Sequence, residues 1–313
     1  MPEAHRLADA GFHAGEVTVQ HRAGAESQAA RLAPMLEPAE LDGGIARFLV
    51  NRTFAALTGR DRAGRLWVTA LTGPPGFLDV TSVNTLEVIA ALHAGDPLDG
   101  LPAGQQVGLV VMEFAGRRRL RINGTLSHLS HARPGRLVIK AEQAYGNCPQ
   151  YIQQRVLILE SPDQAGPGVV RHDSVLASGD VELIRGADTF FLGTTHPERG
   201  SDASHRGGPP GFVRVDGGQL WWPDYAGNNM FNSFGNLAID PETALLFLDF
   251  ATGRTLQLSG TAEIGWGEPG QPGDDGRTGR RVRFTLQRLV AGHLLAARQT
   301  AHQPYPRNPG LTG

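Results

Sequence analysis

Cysteine is nearly missing from this sequence, with one in 313 residues. Cys148 alone can form no internal disulfide, zinc finger or thiolate-held iron–sulfur cluster. An excess of either charge is missing too. There are 29 basic and 31 acidic side chains, a formal net charge of −2, so the strong basic excess of a nucleic-acid binder is not there. No run of about 18 apolar residues occurs, which excludes a membrane-spanning helix. The opening residues hold no apolar signal core, and the expected location is the cytoplasm. Neither GxxxxGK[ST] nor a GxGxxG after a strand is present, so P-loop and Rossmann nucleotide sites are excluded. HExxH is lacking as well. His128 and His131 stand three apart, but in a strand that spacing puts them on opposite faces. No metal is expected.

What is abundant is glycine, with 41 residues, and proline, with 21. They punctuate short apolar runs and so mark turns. The length suggests about two domains of roughly 100–200 residues each, and the chain repeats itself. Gly73-Pro74-Pro75-Gly76-Phe77 recurs as Gly208-Pro209-Pro210-Gly211-Phe212. Upstream, Thr53-Phe54 and Gly64 match Thr189-Phe190 and Gly200. Downstream, Phe114, Leu120 and Gly124 match Phe250, Leu256 and Gly260, and the offset stays at 135 or 136 throughout. The pattern predicts an arm over 1–40, a first repeat over 41–160, a linker over 161–177, a second repeat over 178–295 and a tail over 296–313.

Within each repeat the order is the same. A short helix (about Pro38–Arg47, and about Gly179–Ala187) precedes a strand, Phe48–Gly59 or Thr189–Thr195. A second strand follows, Leu66–Thr72 or Asp202–Arg206, and then the Gly-Pro-Pro-Gly turn. Later runs, Val107–Phe114 with Arg119–Gly124 and Thr243–Phe250 with Thr255–Glu263, read as hairpins because their second members alternate apolar and polar residues. Many short strands, glycine-rich turns and few helices predict a mainly β chain of small antiparallel barrels. In the arm, Glu26–Met35 has helical character, and the end of the tail, His302–Gly313, reads as irregular.

The repeats differ in one polar stretch. Pro223–Pro241 offers Asp224, Tyr225, Asn228, Asn229, Asn232, Ser233 and Asn236, whereas His93–Gln106 of the first copy lacks the Asn/Ser set. A helix over Asn228–Leu237 would put 229, 232, 233 and 236 on one face. Its N-terminus would then be an anion cradle, although Asn and Ser also simply cap and solvate surface helices. The strand before the turn adds Ser204, His205 and Arg206, and an arginine beside a helix N-terminus suits phosphate. A lone arginine equally suits a surface ion pair.

These residues resemble the FMN-binding split barrels of the pyridoxamine 5′-phosphate oxidase-like superfamily. The resemblance runs through Ser204-His205-Arg206-Gly207-Gly208-Pro209-Pro210-Gly211-Phe212, Leu220-Trp221-Trp222-Pro223-Asp224, Gly227-Asn228-Asn229, Ser233, Asn236 and Asp240-Pro241, and ends at Leu256 to Gly260-Thr261-Ala262. It covers about residues 178–265. The stretches Phe12–Glu16 and Gln143–Ile152 are similar to a tandem form of that superfamily. The resemblance implies two tandem six-stranded split β-barrels, the first degenerate. It implies FMN held by Ser204, His205, Arg206, Gly207, Asn228, Asn229, Ser233 and Asn236, and usually a homodimer with flavin at the subunit interface. The first repeat would then act as a built-in partner that closes the pocket.

Two departures limit the implied chemistry. Asn228-Asn229 stands where pyridoxamine phosphate oxidases place an Arg-Lys pair, and Tyr305–Gly310 replaces their Trp- and Arg-bearing end. The expected function is therefore an FMN-dependent oxidoreductase acting on some other small molecule, with NAD(P)H as a candidate donor. The rival is a non-catalytic carrier of flavin, haem or deazaflavin. Cys148 could face the flavin, but a lone cysteine is more often a small buried apolar residue. Of Trp221-Trp222, one should face the core and the other outward.

Overall fold

The computed structural model describes residues 11–90, 92–129, 135–160 and 170–312. The arm folds as α1 (Ala14–Arg22), α2 (Glu26–Ala30) and a 3-10 turn at Ala33–Leu36. The first repeat holds α3 (Gly43–Val50), β1 (Phe54–Arg60), β2 (Leu66–Thr72), β3 (Leu78–Ser82), β4 (Thr85–Ile89), β5 (Gln106–Glu113), β6 (Arg118–Leu129) and β7 (Arg136–Gly146). Then come β8 (Gln154–Leu159) and β9 (Arg171–Asp173). The second repeat holds α4 (Ser178–Gly186), β10 (Thr189–His196), β11 (Gly200–Gly207), β12 (Arg214–Asp216), β13 (Gln219–Pro223), α5 (Asn232–Ile239), β14 (Glu242–Leu248), β15 (Thr255–Trp266) and β16 (Arg280–Gly292), and β17 (Ala297–Gln303) follows.

The duplication is visible in the hydrogen bonding. The first sheet runs β2-β1-β5-β6-β7-β4-β3 and the second β11-β10-β14-β15-β16-β13-β12, the same order with every strand number raised by nine. Seven strands run in each, the last being the short edge strand β3 or β12, and β9 adds to β16 in the second. Most of the predicted linker, 161–169, lies outside the described residues.

Burial explains why β1 and β10 read as unbroken apolar runs. Ala55 and Leu57 of β1 fill the first barrel, while Phe54 and Ala56 point away from it. In β10, Phe190 and Leu192 fill the second barrel while Phe191 points away. The outward residues meet in a third core between the repeats, with Val68, Val110, Ala203, Ala244 and Leu246. Phe54 sits at its centre, with ring centroids 5.4 Å from Phe114, 5.4 Å from Phe191 and 6.1 Å from Phe250.

Three local expectations are corrected. The strand expected from Phe48 begins at Phe54, and the helix expected over about Pro38–Arg47 lies at Gly43–Val50. Ile45, Phe48 and Leu49 recur at helical spacing and pack on the first core. Helix α1 had no apolar stripe to announce it. It is started by His13, whose Nδ1 accepts from Gly15 N at 3.1 Å while Glu16 accepts from His13 N at 2.8 Å, a capping box with histidine in the cap position. Of His302–Gly313, read as irregular, His302 and Gln303 instead end β17, which pairs antiparallel with β8.

Replacing the 1% exposed Phe54 by alanine should cost about 3–5 kcal/mol. Denaturant unfolding followed by both tryptophan fluorescence and circular dichroism should shift as one transition. A separate transition that this substitution leaves in place would show that the repeats unfold independently.

Candidate functional site

The inter-repeat core sets β11 of the second repeat against β5 and β6 of the first. The approach is close at Gly108, where an added Cβ would come within 2.6 Å of the Asp202 and Ala203 backbone. One cleft results, with walls from both repeats. Strand β11 supplies His205, Arg206 and Gly207, and β6 supplies Arg119 and Arg121. The crossover after β7 contributes Asn147, Cys148 and Tyr151, and the loop after β13 contributes Asp224, Tyr225 and Asn228. A second hollow shares Arg121, Arg206 and Asn228 and runs on to Asn229, Asn232 and Ser233 at the start of α5. The cleft encloses about 80 Å³, below the roughly 300–1,000 Å³ of small-molecule sites. That is room for a phosphate-sized group on the cleft floor rather than a ring system.

Three arginines crowd this floor, and their partners differ. Arg121 Nη1 lies 3.1 Å from Asp202 Oδ2, and its Nη2 donates to Ser204 Oγ. Arg206 has Asp224 and Asp202 as its opposite charges, and its guanidinium lies 5.9 Å from the Phe234 ring. Arg119 has no carboxylate partner among the described residues. Its Nη1 is 2.9 Å from His205 Nδ1. Burial, then the charges of Arg121 and Arg206, pull the Arg119 guanidinium down to about 9. Burial, then Arg119, holds His205 well below the ordinary histidine range, so the ring is neutral. A guanidinium only donates. Nδ1 therefore accepts, and the His205 proton sits on Nε2.

Among the described residues, six of the ten buried side-chain polar atoms without a hydrogen-bond partner belong to residues lining this cleft: Arg119, Arg121 and Arg206 Nε, His205 Nε2, Asn147 Nδ2 and the Tyr225 hydroxyl. Every one can donate. Unpaired buried donors cost about 1–3 kcal/mol each, so the cleft is built for an acceptor-rich, negatively charged ligand. A phosphate-bearing cofactor such as FMN fits this donor set.

The structure gathers most of the residues singled out in the sequence. Ser204 is buried at the back of the cleft, holding Arg121. Gly207 is required, because a Cβ there would collide with the Tyr151 carbonyl. Asn228 Nδ2 donates to Asn147 Oδ1 at 3.0 Å, tying the loop to the crossover. The helix starts later than expected, at Asn232, because Asn229 and Phe231 both adopt left-handed backbone at φ 60°. Asn229 therefore stands off the helical face, its amide donating to Gln28. Ser233 Oγ donates to Asp202 Oδ2 at 3.2 Å. Asn236 is not brought to the cleft. It faces another pocket, where its Oδ1 is 3.1 Å from His13 Nε2 and its Nδ2 donates to Thr194 Oγ1 at 3.0 Å. Trp222 is buried against the core and Trp221 is half-buried beside Arg214. The His128–His131 pair falls outside the described side chains, and among the described residues no three His, Cys, Asp or Glu side chains could hold a metal.

Arg119 and Arg121 were not among the expected site residues. Their signal was present as Arg119, Arg121 and Asn123, polar at every second position of a strand central to its sheet. The matching positions of β15 are Thr255, Gln257 and Ser259. There Gln257 Nε2 donates to Asp96 Oδ2 at 3.1 Å and Asp96 accepts from Thr69. The buried Asp96 thus plugs the position that mirrors the cleft, and its carboxyl is pushed up to about 6 by that burial.

No protein-family model and no curated protein matches the chain. Solved structures do. HupZ of Group A Streptococcus aligns at 13% identity over 37% of this chain and 92% of its own, with a TM-score of 0.30. A Clostridium acetobutylicum protein of the pyridoxinephosphate oxidase family, related to general stress protein 26, aligns at 16% over 38% and 88%, with a TM-score of 0.28. An FAD-binding protein from Mycobacterium smegmatis aligns at 14% over 40% and 98%, with a TM-score of 0.26. Each half of this chain is an antiparallel sheet of the same strand order.

The arm carries a titration of its own. Burial pushes Glu16 up to about 7 from an ordinary 4.5. Between those values the unfolded chain sheds a proton that the folded one keeps, so the Glu16 contribution to stability falls as pH rises through that window. Thermal melts should show Glu16→Gln gaining on the wild type from about pH 5 to pH 8 and holding level above it. A gap that ignores pH would refute this.

Proposed function

We propose that the chain is a flavoprotein that binds FMN in the inter-repeat cleft and uses it as an oxidoreductase on a small molecule. The observation that carries this reading is the set of unpartnered buried donors on residues of both repeats. Arg206 and the approach to α5 through Asn228 and Asn229 would hold the phosphate, and the free backbone N–H groups at the helix start would add to them. His205 and Ser233 would meet the ribityl chain. Tyr151, Tyr225 and the crossover line the same cleft and would border the isoalloxazine.

When bound, FMN would supply the hydride and single-electron chemistry. The protein's share is placement and charge. Arg121 is fixed by Asp202 and Ser204 and gives the floor its positive potential. The neutral His205 donates from Nε2 without adding charge. That tautomer also leaves no free imidazole nitrogen for haem iron, which disfavours His205 as a haem ligand. Both walls come from one chain, so this site needs no second copy.

Purified protein mixed with FMN should take on a yellow flavin band and bind FMN more tightly than riboflavin. Arg206→Gln should reduce that preference by about tenfold or more. Anaerobic addition of NADPH or NADH should bleach the band, and turnover with an acceptor separates enzyme from carrier. Equal affinity for FMN and riboflavin in the wild type would remove the phosphate assignment.

A further inference from the structure

Arg119 differs from its two neighbours. Arg121 is neutralised by Asp202, and Arg206 has Asp224 and Asp202 as opposite charges. Among the described residues Arg119 is hydrogen-bonded only to His205, through Nη1 to Nδ1 at 2.9 Å and to the carbonyl oxygen at 3.5 Å. Both contacts use one corner of the guanidinium. Nε is buried without a partner, and among the described residues neither bond of the guanidinium uses Nη2. The free Nε–Nη2 edge offers two parallel N–H groups, the spacing that matches the two oxygens of a carboxylate. His205 adds its unpaired Nε2–H. Asn229, Asn232 and Ser233 at the start of α5 border the hollow that Arg206 shares, whereas Arg119 borders only the cleft beside Cys148, Gln150 and Tyr151. The cleft therefore has two basic positions, one toward the helix and one toward the crossover.

We infer that Arg119 and the Nε2–H of His205 form a second anion subsite, separate from the phosphate position, that takes the carboxylate of a small organic acid. This deepens the flavin reading of the same cleft by naming the class of its substrate. The planar edge pairs with a carboxylate or a phosphate alike; with the flavin phosphate at Arg206, the carboxylate is left to Arg119, and an ammonium-bearing molecule is repelled by three guanidinium groups. Arg119 acts as a binding and specificity residue.

The single cysteine makes the test direct, because Cys148 lines the cleft with Arg119. In flavin-free protein, alkylation of Cys148 by iodoacetate and by the uncharged iodoacetamide is timed by mass spectrometry. The iodoacetate-to-iodoacetamide rate ratio should exceed that of a simple thiol by about tenfold or more, as expected for an anion drawn to a poorly screened cation. Malonate should protect the thiol. Arg119→Gln should return the ratio to the simple-thiol value, and Arg119→Lys should keep part of the gain. A wild-type ratio equal to that of a simple thiol, or one unchanged in Arg119→Gln, overturns the inference. Circular dichroism checks folding, and the Arg119→Lys comparison decides if the glutamine variant unfolds. In a second arm, Arg119→Gln should keep the preference for FMN over riboflavin, and losing it would assign Arg119 to the phosphate and overturn the subsite. Absence of flavin binding would defeat the proposed function but leave the alkylation result standing.

Discussion

The apolar layer between the two barrels is the constraint from which the site follows. Phe54, Val68 and Val110 of one repeat and Phe191, Ala203 and Leu246 of the other close on each other as a shared core. That closure presses β11 against β5 and β6 and leaves three guanidinium groups in one small volume. Isolated, such a group would be expensive to desolvate. Asp202 makes the arrangement tolerable by facing Arg121 while also accepting from Ser233 at 3.2 Å. The buried carboxylate therefore ties the first repeat to the helix that ends the second repeat's polar loop.

Two copies of one scaffold have gone separate ways on a few side chains. Both barrels keep the same strand order. At one of the two related positions, arginines face a strand of polar residues across an open cleft. At the other, Gln257 and Thr69 close over the buried Asp96. The plugged position leaves Thr255 Oγ1 and Gln257 Oε1 unpaired, whereas the open one leaves a larger set of atoms unpaired, all of them able to donate.

Much of the fold was legible because its signals are local. Leu66–Thr72 has the bounds read from the sequence, and the Gly-Pro-Pro-Gly turns anchor the repeat. What was hidden depended on contacts between distant segments. Helix α1 carries the β-branched Val17, Thr18 and Val19 and no strong apolar stripe, and it is held by packing on α5 at a point so tight that a Cβ at Gly15 would strike the Gly235 carbonyl. The late start of α5 turns on two left-handed residues, Asn229 and Phe231, neither of them glycine. Asn236 looked equivalent to Ser233 by helical spacing, yet the arm draws it to His13. Arg119 and Arg121 sit in the copy that had lost its polar loop, so attention to that loop alone passed over the strand opposite it.

The ribbon formed by β8 and β17 has a consequence for how the chain assembles. Gln154 to Leu159 leave the first barrel but pair with Ala297 to Gln303, which follow the whole second repeat in the chain. During synthesis the first barrel can collapse early, yet its outgoing strand waits with bare backbone groups until the whole second barrel has emerged. Loop closure over such a separation is slow compared with hairpin formation, and an unpaired edge invites wrong partners in the interval. The exposed Val156 and Ile158 on that strand make the delay a point of aggregation risk, and pairing with β17 covers one edge of its backbone.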